Sequence, residues 1–209
     1  MNTKKIKEYK NGLRLSNIQR EILVGTIIGD GHLNTWNGRE YKLMIQHALS
    51  QKDYVDWKYQ HLRDWVRTPP KIKDQIVKGK LYHKVWFNTL SHSAFRFYGQ
   101  QFYPHGKKVV PRLIAKWLTP LGVAVWFMDY GSIKSKDHRA LILNTQSYSN
   151  LDLSRLQTVL LDKFGVKTKL RRQKEGQQIY LLAETVATFV SLIKPFIIPT
   201  MMYKLGKLR

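Results

Sequence analysis

The pattern of apolar and polar residues changes period several times in the first half of the chain, and each change predicts an element. A capping-box pattern at residues 16–19 precedes an apolar stripe, which predicts a helix that ends near Asp30-Gly31. Asn37-Gly38 then lies between two β-prone runs, which predicts a hairpin. Residues 50–65 carry a helical stripe, and Pro69-Pro70 ends that helix.

The pattern continues with a second predicted hairpin, which turns at Lys78-Gly79-Lys80, and with a short aromatic helix at residues 92–103. After Pro120 a similar order begins again. It predicts an apolar motif helix, a strand, an amphipathic helix, a hairpin and a final helix, at residues 121–130, 139–149, 150–166, 167–183 and 184–196. The amphipathic helix should carry one apolar face, made of Leu153, Leu156, Leu160 and Leu161.

The repeated order of elements predicts an internal duplication. Shifting the sequence by 100 residues places Gly31 on Gly131 and Gln46 on Gln146, and the apolar runs before the glycines coincide. We therefore expect two similar halves behind a short basic extension. The predicted boundaries are an N-terminal arm at 1–15, a first repeat at 16–118 and a second repeat at 119–209.

Charge is the feature of the composition that narrows the function most. The chain of 209 residues has 43% hydrophobic residues, enough for a sizeable core. Its 36 Lys and Arg residues against 14 Asp and Glu give a net charge of +22, which attracts a polyanion such as nucleic acid or an anionic membrane. The chain has no cysteine, which excludes disulfides, thiolate nucleophiles and cysteine-based zinc sites.

The N-terminal residues give no indication of secretion. Residues 1–16 are polar and lack the apolar region of a signal peptide. The apolar runs are shorter than the ~18–20 residues that span a bilayer. We expect an intracellular protein, in an organelle or a microbial cytoplasm, with no membrane partner.

Two apolar segments each end in an acid and a glycine. The first ends in Gly29-Asp30-Gly31 and the second in Asp129-Tyr130-Gly131. Carboxylates are otherwise scarce, and none lies between Asp74 and Asp129. These glycines could simply end helices as C-caps. Two copies in a strongly basic chain favour instead a chemical role for the acids.

Glycines within the first apolar segment predict a close approach of two helices. Gly25 and Gly29 each cost roughly 1 kcal/mol in a helix interior relative to alanine, so their presence needs a reason. Small residues at helical spacing let a second backbone come near, and Ala124 and Met128 are the predicted partners on the other segment. The two acidic ends would then meet, where a shared hard cation would offset their repulsion.

These residues resemble the LAGLIDADG homing endonuclease family in its single-chain form with two motif copies. LVGTIIGDG (Leu23–Gly31) is similar to one copy and VAVWFMDYG (Val123–Gly131) to the other. LTPLGVAVWFMD, LNTQSYS and LIKPFIIPTMMYKL are similar to yeast mitochondrial members, and the likeness covers roughly residues 16–205. The resemblance implies an α+β fold with two pseudo-symmetric αββαββα repeats. Their motif helices form a central interface, and antiparallel β-saddles bind a long DNA site.

The resemblance also implies a Mg²⁺-dependent DNA endonuclease whose metal ligands are the acids before the final motif glycines. The first of these acids is Asp30, but the second position is Tyr130, whose neutral phenol is a poor Mg²⁺ ligand. Cleavage could therefore be impaired or limited to nicking of one strand. Asp129 comes one residue earlier, and a turn of roughly 100° per helical residue predicts that it points away from the metal. If the helix end unwinds, Asp30 and Asp129 are the predicted metal ligands. Lys108 and Lys204 match family positions near the scissile phosphates.

The predicted hairpins would present polar and cationic side chains to the DNA major groove. A single chain with both motifs should act as a monomer on duplex DNA. The candidate nucleic-acid-binding residues of the first half are Asn34, Arg39, Lys42, Gln46, Lys73, Gln75, Lys78, Lys80 and Lys84. Those of the second half are Lys134, Arg139, Asn144, Gln146, Lys167, Lys169, Arg171, Arg172 and Gln178.

Tyr130 also keeps a non-enzymatic alternative open. A catalytically inactive relative could use the same basic surface to bind structured RNA, as an intron maturase or a ribonucleoprotein component. A DNA-binding regulator is a third possibility. Aromatic stacking on single-stranded bases is less favoured, because helical or strand spacing places the candidate aromatics in the core, namely Tyr54, Trp57, Trp65, Trp86 and Phe87.

Overall fold

A computed structural model describes residues 3–135 and 138–208, and the side chains of residues 3, 135, 138 and 139 lie outside its described part. The fold is α+β, as predicted, with helices and two four-stranded antiparallel sheets. Within the described ranges, every helix is too short or too polar to cross a bilayer.

The chain divides into two compact units. The first unit combines the described residues up to Arg20 with Gly31–Gln100. The second combines Glu21–Asp30 with the described residues from Gln101 onward. The first motif helix therefore belongs mostly to the second unit, and the predicted repeat boundary at residues 118–119 stays a prediction.

The first unit contains one sheet and the helices around it. Its helices are α1 (Thr3–Gly12), the start of α2 (Asn17–Ile28), α3 (Lys52–His61) and most of α4 (Arg96–Phe102). Its strands are β1 (His32–Asn34), β2 (Lys42–Ala48), β3 (Lys71–Val77) and β4 (Lys80–Asn88), in the sheet order β1-β2-β4-β3. Short 3₁₀ turns occupy Leu49–Gln51, Arg63–Trp65 and Ser93–Phe95. The described part of the predicted N-terminal arm is thus mainly a helix.

Local sequence signals explain the ends of these elements. The Ser16 hydroxyl accepts from the Gln19 backbone N–H, and the Gln19 side chain accepts from the Ser16 N–H, which is the predicted capping box. Lys78 and Gly79 have φ values of 49° and 76°, the left-handed conformation that a tight two-residue hairpin turn requires.

The core of the first unit lies between α3 and one face of the sheet. Tyr54 on α3 and Phe87 on β4 are fully buried, as is Trp65 in the turn after α3. Burial of each such aromatic side chain contributes about 1.5–3 kcal/mol, which is enough to fix the sheet against the helix. The predicted core positions of these three aromatics are confirmed.

The second unit repeats this plan. Its helices are the main part of α2, α5 (Ile114–Trp117), α6 (Pro120–Tyr130), α7 (Asn150–Phe164) and α8 (Ala183–Ile193). Its strands are β5 (Gly131–Ser135), β6 (His138–Leu143), β7 (Thr168–Gln173) and β8 (Gly176–Leu181), in the sheet order β5-β6-β8-β7. The 3₁₀ segments Lys194–Phe196 and Pro199–Leu208 follow α8. Both sheets thus have the same strand order, as the predicted duplication requires.

Two details of the second unit differ from the expectations. Leu161 is 47% exposed, whereas Leu153, Leu156 and Leu160 are fully buried. Leu161 lies one residue beyond the buried stripe, so the turn of the helix carries it toward solvent. The predicted strand at residues 139–149 ends at Leu143, because the following residues form turns that lead to the Ser149 cap of α7.

Candidate active site

The two motif helices, α2 and α6, pack closely enough that glycine is required between them. A Cβ added at Gly25 would lie 2.4 Å from the Gly122 carbonyl oxygen and 2.8 Å from Val125 Cβ. A Cβ added at Gly29 would lie 2.2 Å from Oδ2 of Asp129. The close approach predicted from the two glycines is therefore present.

Two other features concern the same helix pair. The Thr119 hydroxyl at the start of α6 donates to Glu21 Oε2 at 2.6 Å, which ties the N-terminal ends of the helices together. Ala124 and Met128 are fully buried in α6. Their predicted role at the interface stays a prediction, since the atoms next to the glycines belong to Gly122, Val125 and Asp129.

At the C-terminal ends of the motif helices, two carboxylates come together. Asp30 and Asp129 each offer a carboxylate oxygen, and these oxygens lie within 4.8 Å of one another. Asp129 is only 9% exposed, and its Oδ2 accepts from the Asp30 backbone N–H at 3.1 Å. Asp30 itself is exposed. The pair combines one solvent-facing acid with one buried acid.

The orientation of Asp129 differs from the sequence expectation that it would point away. Gly29 has no side chain, so the Asp129 carboxylate fills the space beside it between the two helices. The Asp30 N–H at the end of α2 then provides a hydrogen bond to that carboxylate. No unwinding of α6 is needed, because α6 continues through Tyr130.

Two lysines bind the carbonyl groups at the ends of the motif helices. Lys108 Nζ donates to the Gly29 carbonyl oxygen at 2.8 Å. Lys204 Nζ donates to the carbonyl oxygens of Met128 and Asp129, the latter at 3.0 Å. An ammonium group at a helix C-terminus compensates both the unpaired carbonyls and the negative end of the helix dipole. Each of the two predicted lysines therefore lies at the end of one motif helix.

Electrostatics at Lys108 reflect its position beside the acids. Burial lowers the pKa of Lys108 to about 8, although the nearby Asp129 and Asp30 carboxylates act in the opposite direction. The acids therefore help to keep the amine protonated in a partly desolvated place. The result is a group of two carboxylates with ammonium groups at the adjoining helix ends.

Tyr130 occupies the position of the missing motif acid and remains neutral. Burial, with the negative charge of Asp30 and Asp129, raises the pKa of Tyr130 to about 12, although a hydrogen bond with the Ser147 side chain lowers it. The Tyr130 carbonyl accepts from the backbone and side-chain N–H groups of Asn144, each at 2.9 Å. Tyr130 is thus a neutral hydrogen-bonded group beside the acid pair.

Tyr148 is a residue of this site that the sequence did not single out. Its buried hydroxyl donates to the Ile28 carbonyl oxygen at 2.7 Å, at the end of α2. Burial, with smaller effects from neighbouring groups, raises the pKa of Tyr148 well above its usual value. The segment LNTQSYS, which carries part of the family resemblance, contains Tyr148 and offered the only sequence signal.

The two carboxylates fit a hard divalent cation. Mg²⁺ is commonly held by one or two carboxylates, with water and substrate phosphate completing the octahedron. Asp30 faces solvent and is close to the second acid, so the arrangement leaves one side open to water and phosphate. The residues present are those that such a site requires.

Most of the predicted nucleic-acid contacts in the first unit share one open face of the sheet. Strand pairing places Lys42 opposite Asn34, and Gln46 opposite Trp86. Lys73 is paired with Lys84. The residues on this face, here called the first open face, are Asn34, Lys42, Gln46, Lys73, Gln75, Lys80, Lys84 and Trp86. Arg39 lies in the loop between β1 and β2, and Lys78 lies in the turn between β3 and β4.

Trp86 differs from its predicted core position. It is half-buried on the first open face, and Lys73 Nζ lies 5.6 Å from its ring centroid. Lys73 and Trp86 line a shallow pocket of about 270 Å³ together with Met44, Gln46 and Asn88. Alternation along β4 explains the difference, because Val85 and Phe87 take the buried face.

The second sheet has a comparable face around Tyr180. Lys134 and Lys169 place their Nζ atoms 5.8 Å and 5.2 Å from the Tyr180 ring centroid. Arg171 and Gln178 are directly paired on the same face. Gln178 is buried and donates to the Asn144 side chain at 2.7 Å, so these two residues also hold each other in place.

Other candidate nucleic-acid-binding residues of the second unit lie away from the face around Tyr180, or outside the described part of the chain. Arg172 is paired with Gln177 and belongs to the opposite face of the sheet. Lys167 forms a 3.0 Å ion pair with Glu184, and Gln146 lies in the turn after β6. The Arg139 side chain lies outside the described part of the chain.

Comparison with known proteins identifies related chains. The family model described as "LAGLIDADG DNA endonuclease family" matches residues 20–189. A probable intron-encoded endonuclease 1 of Wickerhamomyces canadensis is 32% identical over 213 aligned positions, which cover 98% of this chain and 91% of the relative. The solved structure of the homing endonuclease I-WcaI bound to its DNA recognition sequence has a TM-score of 0.92 at 28% identity, covering 98% of this chain and 93% of that one.

Another relative is described as an mRNA maturase and not as an endonuclease. The cytochrome b mRNA maturase bI2 of Saccharomyces cerevisiae is 30% identical over 199 aligned positions. These positions cover 88% of this chain but only 46% of the maturase, so more than half of that relative has no counterpart in the match.

Proposed function

This chain belongs to the LAGLIDADG DNA endonuclease family, and we propose that it is a homing-type, site-specific endonuclease that hydrolyses phosphodiesters in a long duplex DNA site. The observation that carries the proposal is the carboxylate pair at the ends of the paired motif helices, Asp30 with Asp129. The strong positive charge, the first open face and the comparable face around Tyr180 support a DNA partner.

In this proposal Asp30 and Asp129 hold Mg²⁺. A divalent cation there supplies Lewis-acid stabilisation of phosphate charge and a more acidic bound water. Asp129 takes the role that the motif position gives to an acid, and Tyr130 does not bind metal, because its phenol stays protonated at neutral pH. The protein's own acids set where the cation would be held.

Lys108 and Lys204 support the same chemistry with fixed positive charge. Each is held by carbonyl oxygens at the end of a motif helix, beside the acid pair. An ammonium group has three donors, and Lys108 uses one of them for the Gly29 carbonyl, so it keeps the capacity to bind a phosphate oxygen. Preorganised cations of this kind stabilise the negative charge that develops on phosphate.

Both acids come from one chain, so the proposed active form is a monomer. The polar and cationic faces of the sheets bind the duplex, mainly through phosphate contacts with a smaller number of base contacts. The intron-encoded origin of the Wickerhamomyces relative supports an intron-encoded origin here.

The test is a selection followed by a cleavage assay. We expect the protein to enrich one long duplex from a random DNA pool at about 0.15 M salt, where non-specific phosphate binding is weakened. The enriched duplex should be cut or nicked with Mg²⁺, and EDTA should stop strand scission while specific binding remains. Specific binding with no scission at any Mg²⁺ or Mn²⁺ concentration would reject the endonuclease.

A second candidate function is RNA binding of the maturase type without DNA cleavage. Two observations favour it: Tyr130 in place of the motif acid, and the similarity to the yeast cytochrome b maturase. Mixed pools of duplex DNA and RNA discriminate between the candidates. Enrichment of a folded RNA over every duplex would support this second function.

A further inference from the structure

Trp36 is the most exposed large hydrophobic residue among those that the structure describes. Its side chain is 92% exposed, whereas Trp65 and Trp126 are buried and the other three tryptophans are half-buried. An indole in water contributes nothing to the folded core, and its removal from water on binding is strongly favourable. The indole of Trp36 is therefore available for contact with a partner.

The loop that carries Trp36 is held by a dense set of hydrogen bonds. The Thr35 hydroxyl donates to the Glu40 carbonyl at 2.7 Å and accepts from the Gly38 N–H at 2.9 Å. The Asn37 side chain accepts from the N–H groups of Arg39 and Glu40, at 2.9 Å and 3.1 Å. Gly38 has a φ of +67°, which glycine adopts without strain. The loop thus has a fixed conformation around an exposed indole.

An ion pair fixes the loop to the rest of the unit. Lys10 Nζ on α1 contacts both carboxylate oxygens of Glu40, at 2.8 Å and 2.9 Å. His92 Nε2 in turn donates to the Lys10 carbonyl oxygen at 2.9 Å, since His92 Nδ1 accepts from the Ala94 N–H. Because the loop is already ordered, a ligand that binds Trp36 does not have to meet the entropic cost of ordering it.

The loop is continuous with the first open face. It joins β1 to β2, and its two ends are the paired residues Asn34 and Lys42 of that face. Arg39 is exposed in the same loop and provides a cation for a phosphate. An apolar ring and a cation beside the proposed DNA-binding face match the bases and the backbone of a duplex, respectively.

We propose that Trp36 is a specificity-determining residue that contacts DNA bases through its indole ring, at the edge of the first open face. This inference rests on the proposed function, because it takes duplex DNA as the partner. The contact is apolar, by packing of the ring on a thymine methyl group at a base edge, because the base faces of a duplex are stacked on one another. It therefore contributes to affinity and to base preference without releasing counterions from the DNA.

The test uses salt dependence to separate a base contact from a phosphate contact. The probe is the duplex that the wild-type protein enriches from a random DNA pool. Trp36→Ala should weaken binding about tenfold or more at every salt concentration, with an unchanged slope of log K against log salt. Arg39→Gln should instead reduce the magnitude of that slope by about 0.9.

Base preference provides the second measurement. A selection repeated with Trp36→Ala should lose the preference at one or two adjacent base pairs and keep it elsewhere. Trp36→Phe should retain part of the affinity, since a smaller ring can still pack on a thymine methyl group. Phe97→Ala, which removes another exposed ring in the same unit, should bind like the wild type.

The thermal unfolding midpoint serves as the control for correct folding. Trp36→Ala should leave it unchanged, because the ring is exposed. If the wild type enriches a duplex and Trp36→Ala has the same affinity and base preference, the inference is wrong and the proposed function stands. A smaller salt slope with an unchanged base preference would also overturn the inference, because it would show that the variant loses a phosphate contact. If the wild type enriches no duplex, or prefers folded RNA, both fail together.

Discussion

The C-terminal ends of the two motif helices perform the same structural task with different groups. At the end of α2, the hydroxyl of Tyr148 and the ammonium group of Lys108 bind the last carbonyls, and the Asp30 carboxylate faces solvent. At the end of α6, Lys204 and Asn144 bind the last carbonyls, and the carboxylate of Asp129 is buried. One end thus presents an open acid and the other a buried acid.

The difference shows how two carboxylates can meet although the second motif ends in Tyr130 and not in an acid. Asp129 reaches Asp30 from one residue earlier because Gly29 leaves a gap between the helices. The backbone N–H of Asp30 compensates part of the cost of burying the Asp129 charge. Tyr130 is left as a neutral neighbour, hydrogen-bonded to Ser147. Metal binding would then depend on the Gly29–Asp129 fit more than on the motif's final acid.

The largest expected effect is at the open acid. Asp30→Asn should slow Mg²⁺-dependent strand scission by about a thousandfold, because it removes a proposed metal ligand and with it several kcal/mol of charge stabilisation. Affinity for the selected duplex should change little. The measurement is single-turnover cleavage, with Asp162→Asn, at an exposed acid on α7, as the matched control. Equal rates for Asp30→Asn and the control would contradict the assignment.

The packing of α2 against α6, which brings the acids together, should be almost as sensitive to substitution. Gly25→Ala would place a methyl group 2.4 Å from the Gly122 carbonyl oxygen, so the backbones must separate. We expect a loss of about 2–3 kcal/mol in the free energy of unfolding, from overpacking. Denaturant unfolding measures this, and Gly12→Ala is the matched control, since nothing lies within 4 Å of its added Cβ. Similar stabilities for the two variants would mean that the helices are not closely packed.

A smaller effect is expected from the hydroxyl at the end of α2. Tyr148→Phe removes the donor to the Ile28 carbonyl and leaves that buried oxygen without this partner. The loss should be about 1–2 kcal/mol in unfolding free energy. Tyr82→Phe changes an exposed ring on β4 and should be neutral within about 0.5 kcal/mol. If both variants unfold alike, the hydrogen bond at Ile28 contributes nothing.

Much of the fold follows from local signals in the sequence. The capping box at Ser16, the hairpin turn at Lys78-Gly79 and the strands on either side of it are set by neighbouring residues. Gly25 and Gly29 predicted the helix pairing, because glycine in a helix interior is costly unless a second backbone approaches. Local propensity and one packing rule were sufficient for these elements.

Contacts between distant residues could not be predicted in the same way. Tyr148 and Ile28 are 120 positions apart, and no local pattern indicates that the tyrosine hydroxyl reaches that carbonyl. The direction of Asp129 depends on the gap at Gly29, which a rotation of roughly 100° per residue does not describe. Trp86 was expected in the core, yet the strand register places it on the open face. Such features depend on three-dimensional packing.

Two near-isosteric variants show whether Asp129 or Tyr130 completes the acid pair with Asp30. Asp129→Asn and Tyr130→Phe are compared with the wild type in Mg²⁺-dependent single-turnover cleavage of the selected duplex at neutral pH. Asp129→Asn should lose strand scission while retaining DNA affinity. Tyr130→Phe should cleave within about threefold of the wild type, because a phenol with a pKa of about 12 carries no charge there. Full activity in Asp129→Asn, or loss of activity in Tyr130→Phe alone, would mean that Asp129 is not the second acid of the pair.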